Sequence, residues 1–150
     1  MTPLIIILAA FVIFYLRTNP SYWLLLLPGT IMHETMHYIV GKITGAGPYN
    51  FTVFPERTET GVTYGSVDFE TFNAFNATPT AMAPLLGIPL ALYAWPYLQH
   101  TNSVWSMCAV VWALAAILAQ SLPSKGDWAI ALRHPIGFVA WVVGVGYLLT

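Results

Sequence analysis

Charge is the scarcest thing in this chain. Charged side chains make up 7% of the 150 residues, against hydrophobic residues at 57%. Soluble domains carry about 25% charged residues. So little polar side chain cannot cover a water-facing surface, and the composition reads as an integral membrane protein. Basic residues number five and the net charge is −1, which excludes an electrostatic nucleic-acid partner. Cysteine is nearly missing too. Cys108 is single, so no internal disulfide can form and the redox compartment is unreadable. Inside its apolar run it reads as a small buried hydrophobe. No Lys or Arg precedes the first apolar stretch, and no small-residue cleavage site follows it. A secretory leader wants both, so this stretch reads as a retained membrane segment. Internal repeats and low-complexity tracts are absent, and the length suits one domain spanning residues 1–150.

What remains is organised as five apolar segments: 3–16, 21–43, 77–98, 103–122 and about 135–149. A spanning helix needs about 20 residues, with a range of about 17–25. The middle three qualify, while the first and last are short. The expectation is an all-α membrane protein, a polytopic bundle of four or five transmembrane segments. If all five span, one face carries Lys42, Arg57, Lys125 and Arg133 and the other only Arg17. The positive-inside rule then puts the richer face, and the N-terminus, in the cytoplasm. Most of the six tryptophans sit near segment ends, as an interfacial belt would.

Residues 49–70 differ from the rest. "YNFTVF" and "GVTYGSVDFE" are rich in β-branched and aromatic residues and flank the turn-like "PERTETG". They predict a β-hairpin or ribbon between segments two and three, on the cytoplasmic side. Asn73 and Asn76, just before segment three, read as turn residues. The sequons at Asn50 and Asn76 carry no weight in that compartment.

Segment two contains "PGTIMHETMHYIVGK", residues 28–42. "HETMH" fits H-E-x-x-H. On a helix, His33 and His37 are four apart on one face and can share a metal, and Glu34 can reach a water held there. Zinc lowers the pKa of such a water toward about 7. Glu34 would take its proton and pass it to a leaving amine. Random order of four His and four Glu gives this pattern roughly 0.2% of the time, so it is a hypothesis with weight. Satisfied core histidines beside a buried glutamate are the bland alternative. In a bilayer that arrangement costs at least about 2.5 kcal/mol per charge. Pro28-Gly29 reads as a break or kink, with Thr30 restarting the helix as its N-cap and His33 in the first turn.

Zinc needs a third protein ligand. The remaining acids are Glu56, Glu59, Asp68, Glu70 and Asp127, and the remaining histidines are His100 and His134. His100 falls on the opposite face. The four hairpin acids sit in a water-exposed element. Asp127 and His134 share the face of the motif helix's C-terminal end. Asp127 follows "SLPS", where the chain can turn inward, and is the expected ligand, with His134 the alternative. Ser124-x-x-Asp127 also reads as a capping box opening a short helix to about Arg133. The two roles are compatible, because a helix N-terminus favours an ionised carboxylate.

These residues resemble a known family. "HETMH" in a membrane segment, a β-rich insertion, two further membrane segments and an aspartate just after the last are similar to the site-2 protease family of intramembrane zinc metalloproteases. The resemblance covers about residues 21–130 and includes "AMAPLLG" (81–87), similar to the small-residue and proline pattern of that family's intervening helix. It implies His33, His37 and Asp127 as zinc ligands and Glu34 as the catalytic residue. The family's aspartate lies in an N-P-x-P-x-x-x-L-D-G-like stretch. Here the stretch is "QSLPSKGDW", with Gly126 before the aspartate and Trp128 after it, and no separate PDZ-like domain is present. The chain would be a minimal or divergent member.

The expected activity is zinc-dependent cleavage of a peptide bond in or near the membrane, with the site toward the cytoplasmic side. The resemblance also gives the ribbon an edge strand for an unwound substrate. The implied partners are a membrane protein or peptide substrate and the bilayer, with a homo-oligomer or a partner subunit also compatible. A zinc-binding but non-proteolytic membrane regulator is the alternative. A metal transporter fits less well, because segments three and four offer few ionisable groups along a path.

Overall fold

The computed structural model describes residues 3–17, 19–58, 61–98, 100, 103–148 and 150. The chain is mostly helical. Helix α1 spans Pro3–Leu16, and a 3-10 turn at Pro20–Tyr22 leads into α2, Trp23–Ile43. Four short strands follow: β1 (Pro48–Thr52), β2 (Glu56–Thr58), β3 (Gly61–Thr63) and β4 (Ser66–Phe69). Helix α3 (Ala77–Met82), a 3-10 turn (Ala83–Leu86) and α4 (Gly87–Leu98) form one helical stretch. Then come α5 (Val104–Gln120), α6 (Lys125–Leu132) and α7 (Pro135–Leu148).

The five apolar segments coincide with α1, α2, α3–α4, α5 and α7. Their capacity to cross a bilayer is uneven. By length and hydropathy Ala77–Leu98 qualifies alone, and α5 with α6 qualifies as a pair bent by 40°. Helices α1 and α7 are apolar but shorter. Helix α2 is long enough at 21 residues, but His33, Glu34, His37 and Lys42 dilute its apolar character.

Helix α5 is the hub, with α1 and α2 packed on it. Helix α1 contributes Ile6, Ala10 and Ile13, spaced one helical face apart. Helix α5 answers with Leu114, Ala115, Ala116 and Ala119, joined by Leu26, Ala91 and Trp95. The alanines leave room for backbones to approach. Gly29 uses that room: a Cβ there would collide with the Ala116 carbonyl.

The expectation for Pro28-Gly29-Thr30 needs correction. Helix α2 runs through Pro28 without a break, and Thr30 lies inside it rather than at its start. Proline withdraws one N–H from the ladder. Nearby, the Trp112 indole N–H donates to the Leu25 carbonyl at 3.0 Å, supplying an outside donor next to that gap. Gly29 serves helix contact, not helix breaking. Cys108 also departs from expectation, since it is exposed on α5.

The ribbon is two antiparallel pairs in line, β1 with β4 and β2 with β3, in nested hairpin order. It begins at Pro48 and ends at Phe69, close to the expected 49–70. Asn73 and Asn76 form the turn before α3. The Asn73 side-chain oxygen accepts from the N–H groups of Phe75 and Asn76 (2.8 and 3.1 Å), and the Asn76 oxygen accepts from Asn73 N–H (2.8 Å).

Candidate metal centre

Helix α2 carries His33 and His37 one turn apart, facing α3 and the end of α5. The His33 Nδ1–H donates to the Gln120 carbonyl at 2.6 Å, and the His37 Nδ1–H to the Thr80 carbonyl at 2.8 Å. A carbonyl can only accept, so both Nδ1 atoms carry the proton and both Nε2 lone pairs are left free in the neutral rings. Those two Nε2 atoms point at each other, 3.1 Å apart.

Asp127 closes the group. Its Oδ1 lies 3.1 Å from His37 Nε2 and its Oδ2 3.5 Å from His33 Nε2. One ligand atom from each of the three residues lies within 4.8 Å of the others. The aspartate reaches this position because α6 starts there. Ser124 is the N-cap, its Oγ accepting from Asp127 N–H at 3.2 Å while Asp127 Oδ2 accepts from Ser124 N–H at 2.6 Å. The capping box and the approach to the histidines therefore coexist in one buried side chain.

The donor set suits a divalent cation. The two Nε2 lone pairs face each other at 3.1 Å, and each lies 3.1–3.5 Å from one of the two Asp127 carboxylate oxygens. A tetrahedral ion with bonds of about 2.0–2.1 Å holds its ligands about 3.3 Å apart. A single proton relieves only one of the facing pairs, whereas a cation at the centre satisfies all three. Outer hydrogen bonds from each histidine to a carbonyl are the usual support for such a site.

The other sequence candidates stand elsewhere. His134, the alternative third ligand, follows the far end of α6 and is absent from the cluster. It lies seven residues past Asp127, about 10 Å of helix rise away. Glu56, Asp68 and Glu70 are exposed on or beside the ribbon, and Asp68 accepts from the Asn50 side chain at 3.1 Å. His100 is exposed between α4 and α5. Glu59 lies outside the described residues.

Glu34 is 8% exposed and lines the same cleft of about 780 Å³ as His33, His37 and Asp127. The ribbon forms the facing wall. Between β3 and β4 the chain passes close over Glu34. A Cβ on Gly65 would sit 2.8 Å from Thr30 Cγ2 and 2.9 Å from Glu34 Cγ. Only a residue without a side chain fits that approach. Next to it, the Tyr64 hydroxyl donates to the Arg17 carbonyl at 2.9 Å, tying the ribbon to the end of α1. Partial burial holds the Tyr64 phenol above its ordinary value.

Sequence reasoning missed Gln120, Thr80 and Gly65. The first two act through backbone carbonyls, which leave no side-chain signature. Gly65 sits in a run that reads as strand. No family model, curated protein or solved structure matches the chain.

Proposed function

We propose that this chain is a multi-pass intramembrane zinc endopeptidase, with His33, His37 and Asp127 as zinc ligands and Glu34 as general base. The observation that carries the reading is the pair of Nε2 atoms 3.1 Å apart with the Asp127 carboxylate beside them. When bound, the metal supplies Lewis acidity and water activation at neutral pH. The chain's own residues do the rest. Gln120 and Thr80 hold the imidazoles in one tautomer. Ser124 N–H holds the Asp127 carboxylate. Glu34, beside the first histidine on the same helix, takes a proton from water and returns it to the leaving amine.

The membrane placement rests on composition and on the outward faces. Leu4, Leu8, Phe11 and Val12 of α1 and Ile136, Val139, Val143 and Leu148 of α7 are exposed, an apolar extent unusual for a water-soluble monomer. In this reading α2, α3–α4 and α5 cross the bilayer. With 14 residues each, α1 and α7 cover about 21 Å of a hydrocarbon core of about 30 Å. The ribbon and α6 lie toward the cytoplasmic side. Strand β4 pairs with β1 on one edge, and its other edge has no strand partner among the described residues. Gly65, Ser66 and Val67 border the cleft there, which suits an extended peptide added as a strand.

The test is cleavage of a co-expressed membrane substrate by wild type and Glu34→Gln. The variant should keep its zinc and lose activity by about 10²–10⁴-fold. Equal cleavage by both proteins removes Glu34 from the mechanism. Zinc retained with no turnover in wild type, over a panel of membrane substrates, favours the non-proteolytic regulator.

A further inference from the structure

Two prolines stand in particular relation to the carbonyls that orient the histidines. Within a helical stretch, the N–H at position i+4, or i+3 in a tighter turn, bonds the carbonyl at i. For Thr80 the i+4 residue is Pro84, which has no N–H. Thr80 O accepts the 3-10 bond from Ala83 N–H, and its second lone pair is left for His37 Nδ1–H at 2.8 Å. For Gln120 the i+3 residue is Pro123, and the i+4 donor, Ser124 N–H, is turned to Asp127 Oδ2 at 2.6 Å. The Gln120 carbonyl therefore meets His33 Nδ1–H at 2.6 Å without a competing backbone donor from either position.

We infer that Pro84 and Pro123 are positioning residues of the histidine pair: each withholds the backbone N–H that would compete for the carbonyl fixing one imidazole. The two sites are built alike although they lie on different helical stretches. Each pairs a helix-end carbonyl with a proline three or four residues on. At Thr80 the side chain adds a second hold. The Thr44 hydroxyl donates to the Val40 carbonyl at 2.8 Å, so the Thr80 hydroxyl is the donor in their 3.1 Å contact. That contact ties Thr80 to the end of the helix bearing His37. With both Nδ1–H groups engaged, both Nε2 lone pairs are directed to one point before any ligand arrives. Restoring an N–H at position 84 or 123 loosens that constraint, and the imidazole can then turn or take the other tautomer.

The inference rests on the metal-site reading for its consequence but not for its test. Pro84→Ala, Pro123→Ala and, as a control, Pro96→Ala in α4 are prepared in the full chain with ¹⁵N-histidine. Imidazole ¹⁵N spectra of the metal-free proteins report the tautomers, chelator competition reports zinc affinity, and thermal melts report folding. Wild type should show both rings protonated at Nδ1. His37 in Pro84→Ala and His33 in Pro123→Ala should move to a mixture of tautomers. Zinc affinity should fall by about 10-fold or more in each, the range for outer groups of a metal site. Pro96→Ala should change neither. Pro84 is fully buried, and Pro123, in the half-buried connection before α6, is the variant that keeps the test valid if Pro84→Ala fails to fold. Unchanged tautomers in Pro123→Ala overturn the inference. So does lowered affinity that tracks a lowered melting temperature while the tautomers stay fixed, since this is what a purely structural proline gives. If wild type binds no zinc, the metal reading fails, and the tautomer spectra still decide this one.

Discussion

Replacing Asp127 removes two things at once, and the structure allows them to be separated. The carboxylate caps α6 through Ser124 N–H at 2.6 Å and reaches both histidines at 3.1 and 3.5 Å. Zinc sites with four protein ligands are worth about 10–16 kcal/mol, so one ligand accounts for about 2.5–4 kcal/mol. That corresponds to about 10²–10³-fold in affinity. Loss of the cap costs about 1 kcal/mol of stability. Asp127→Ala should lose the zinc ligand and the bond from Ser124 N–H, while Ser124 Oγ still accepts from the backbone N–H at position 127. Asp127→Asn keeps an oxygen that can accept from Ser124 N–H, so it should melt close to wild type while still losing zinc. Ser124→Ala should lower stability by about 1 kcal/mol and leave zinc nearly intact, because the Ser124 N–H remains. The assay is zinc content of purified protein, followed by chelator competition and thermal melts of the metal-free forms. If Asp127→Ala carries as much zinc as wild type, the third ligand is elsewhere and the convergence of the three side chains is not a metal site.

Three further outcomes are expected. Gly29→Ala drives a methyl into the Ala116 carbonyl and should destabilise the α2–α5 contact by about 1–3 kcal/mol, read as a lowered melting temperature in detergent; a neutral effect would mean that these helices do not touch there. Gly65→Ala places a methyl 2.9 Å from Glu34 Cγ and should lift the ribbon, with faster amide exchange over β3 and β4; unchanged exchange would show that the ribbon does not rest on Glu34. Cys108, exposed on α5, should react slowly with a charged maleimide in intact bilayers and rapidly after unfolding in detergent; fast labelling in the bilayer would count against α5 as a lipid-facing span.

The membrane reading and the fold bear on each other through α2. Its polar motif keeps it from qualifying as a span by hydropathy, yet the same residues turn toward α3, α5 and α6, not outward. The two histidines find carbonyl partners on α5 and α3, which is what ionisable groups inside a membrane bundle would need. The short α6, bent 40° from α5, is what brings the aspartate to them. The chain leaves α5 at Ser121–Ser124 and starts α6 with Asp127 in its first turn, which carries the carboxylate to the motif helix.

The sequence alone settled what depends on local order. Apolar run lengths located the helices, β-branched and aromatic residues located the ribbon, His33 and His37 fell on one helix face, and Ser124 with Asp127 spelled the cap. Each of these follows from the period of an element or from a hydrogen bond within four residues. Tertiary structure decided what depends on which backbones meet. Pro28-Gly29 carries a breaker's signature, but the packing of α5 made Gly29 a contact point inside an unbroken helix. Asp127 was the expected ligand and His134 the alternative on the same side, and the start of α6 placed Asp127 against the histidines and left His134 about 10 Å of helix away. The carbonyls of Thr80 and Gln120 have no signature at all, since every residue has one. They matter here because folding carries two histidines from another helix to their lone pairs.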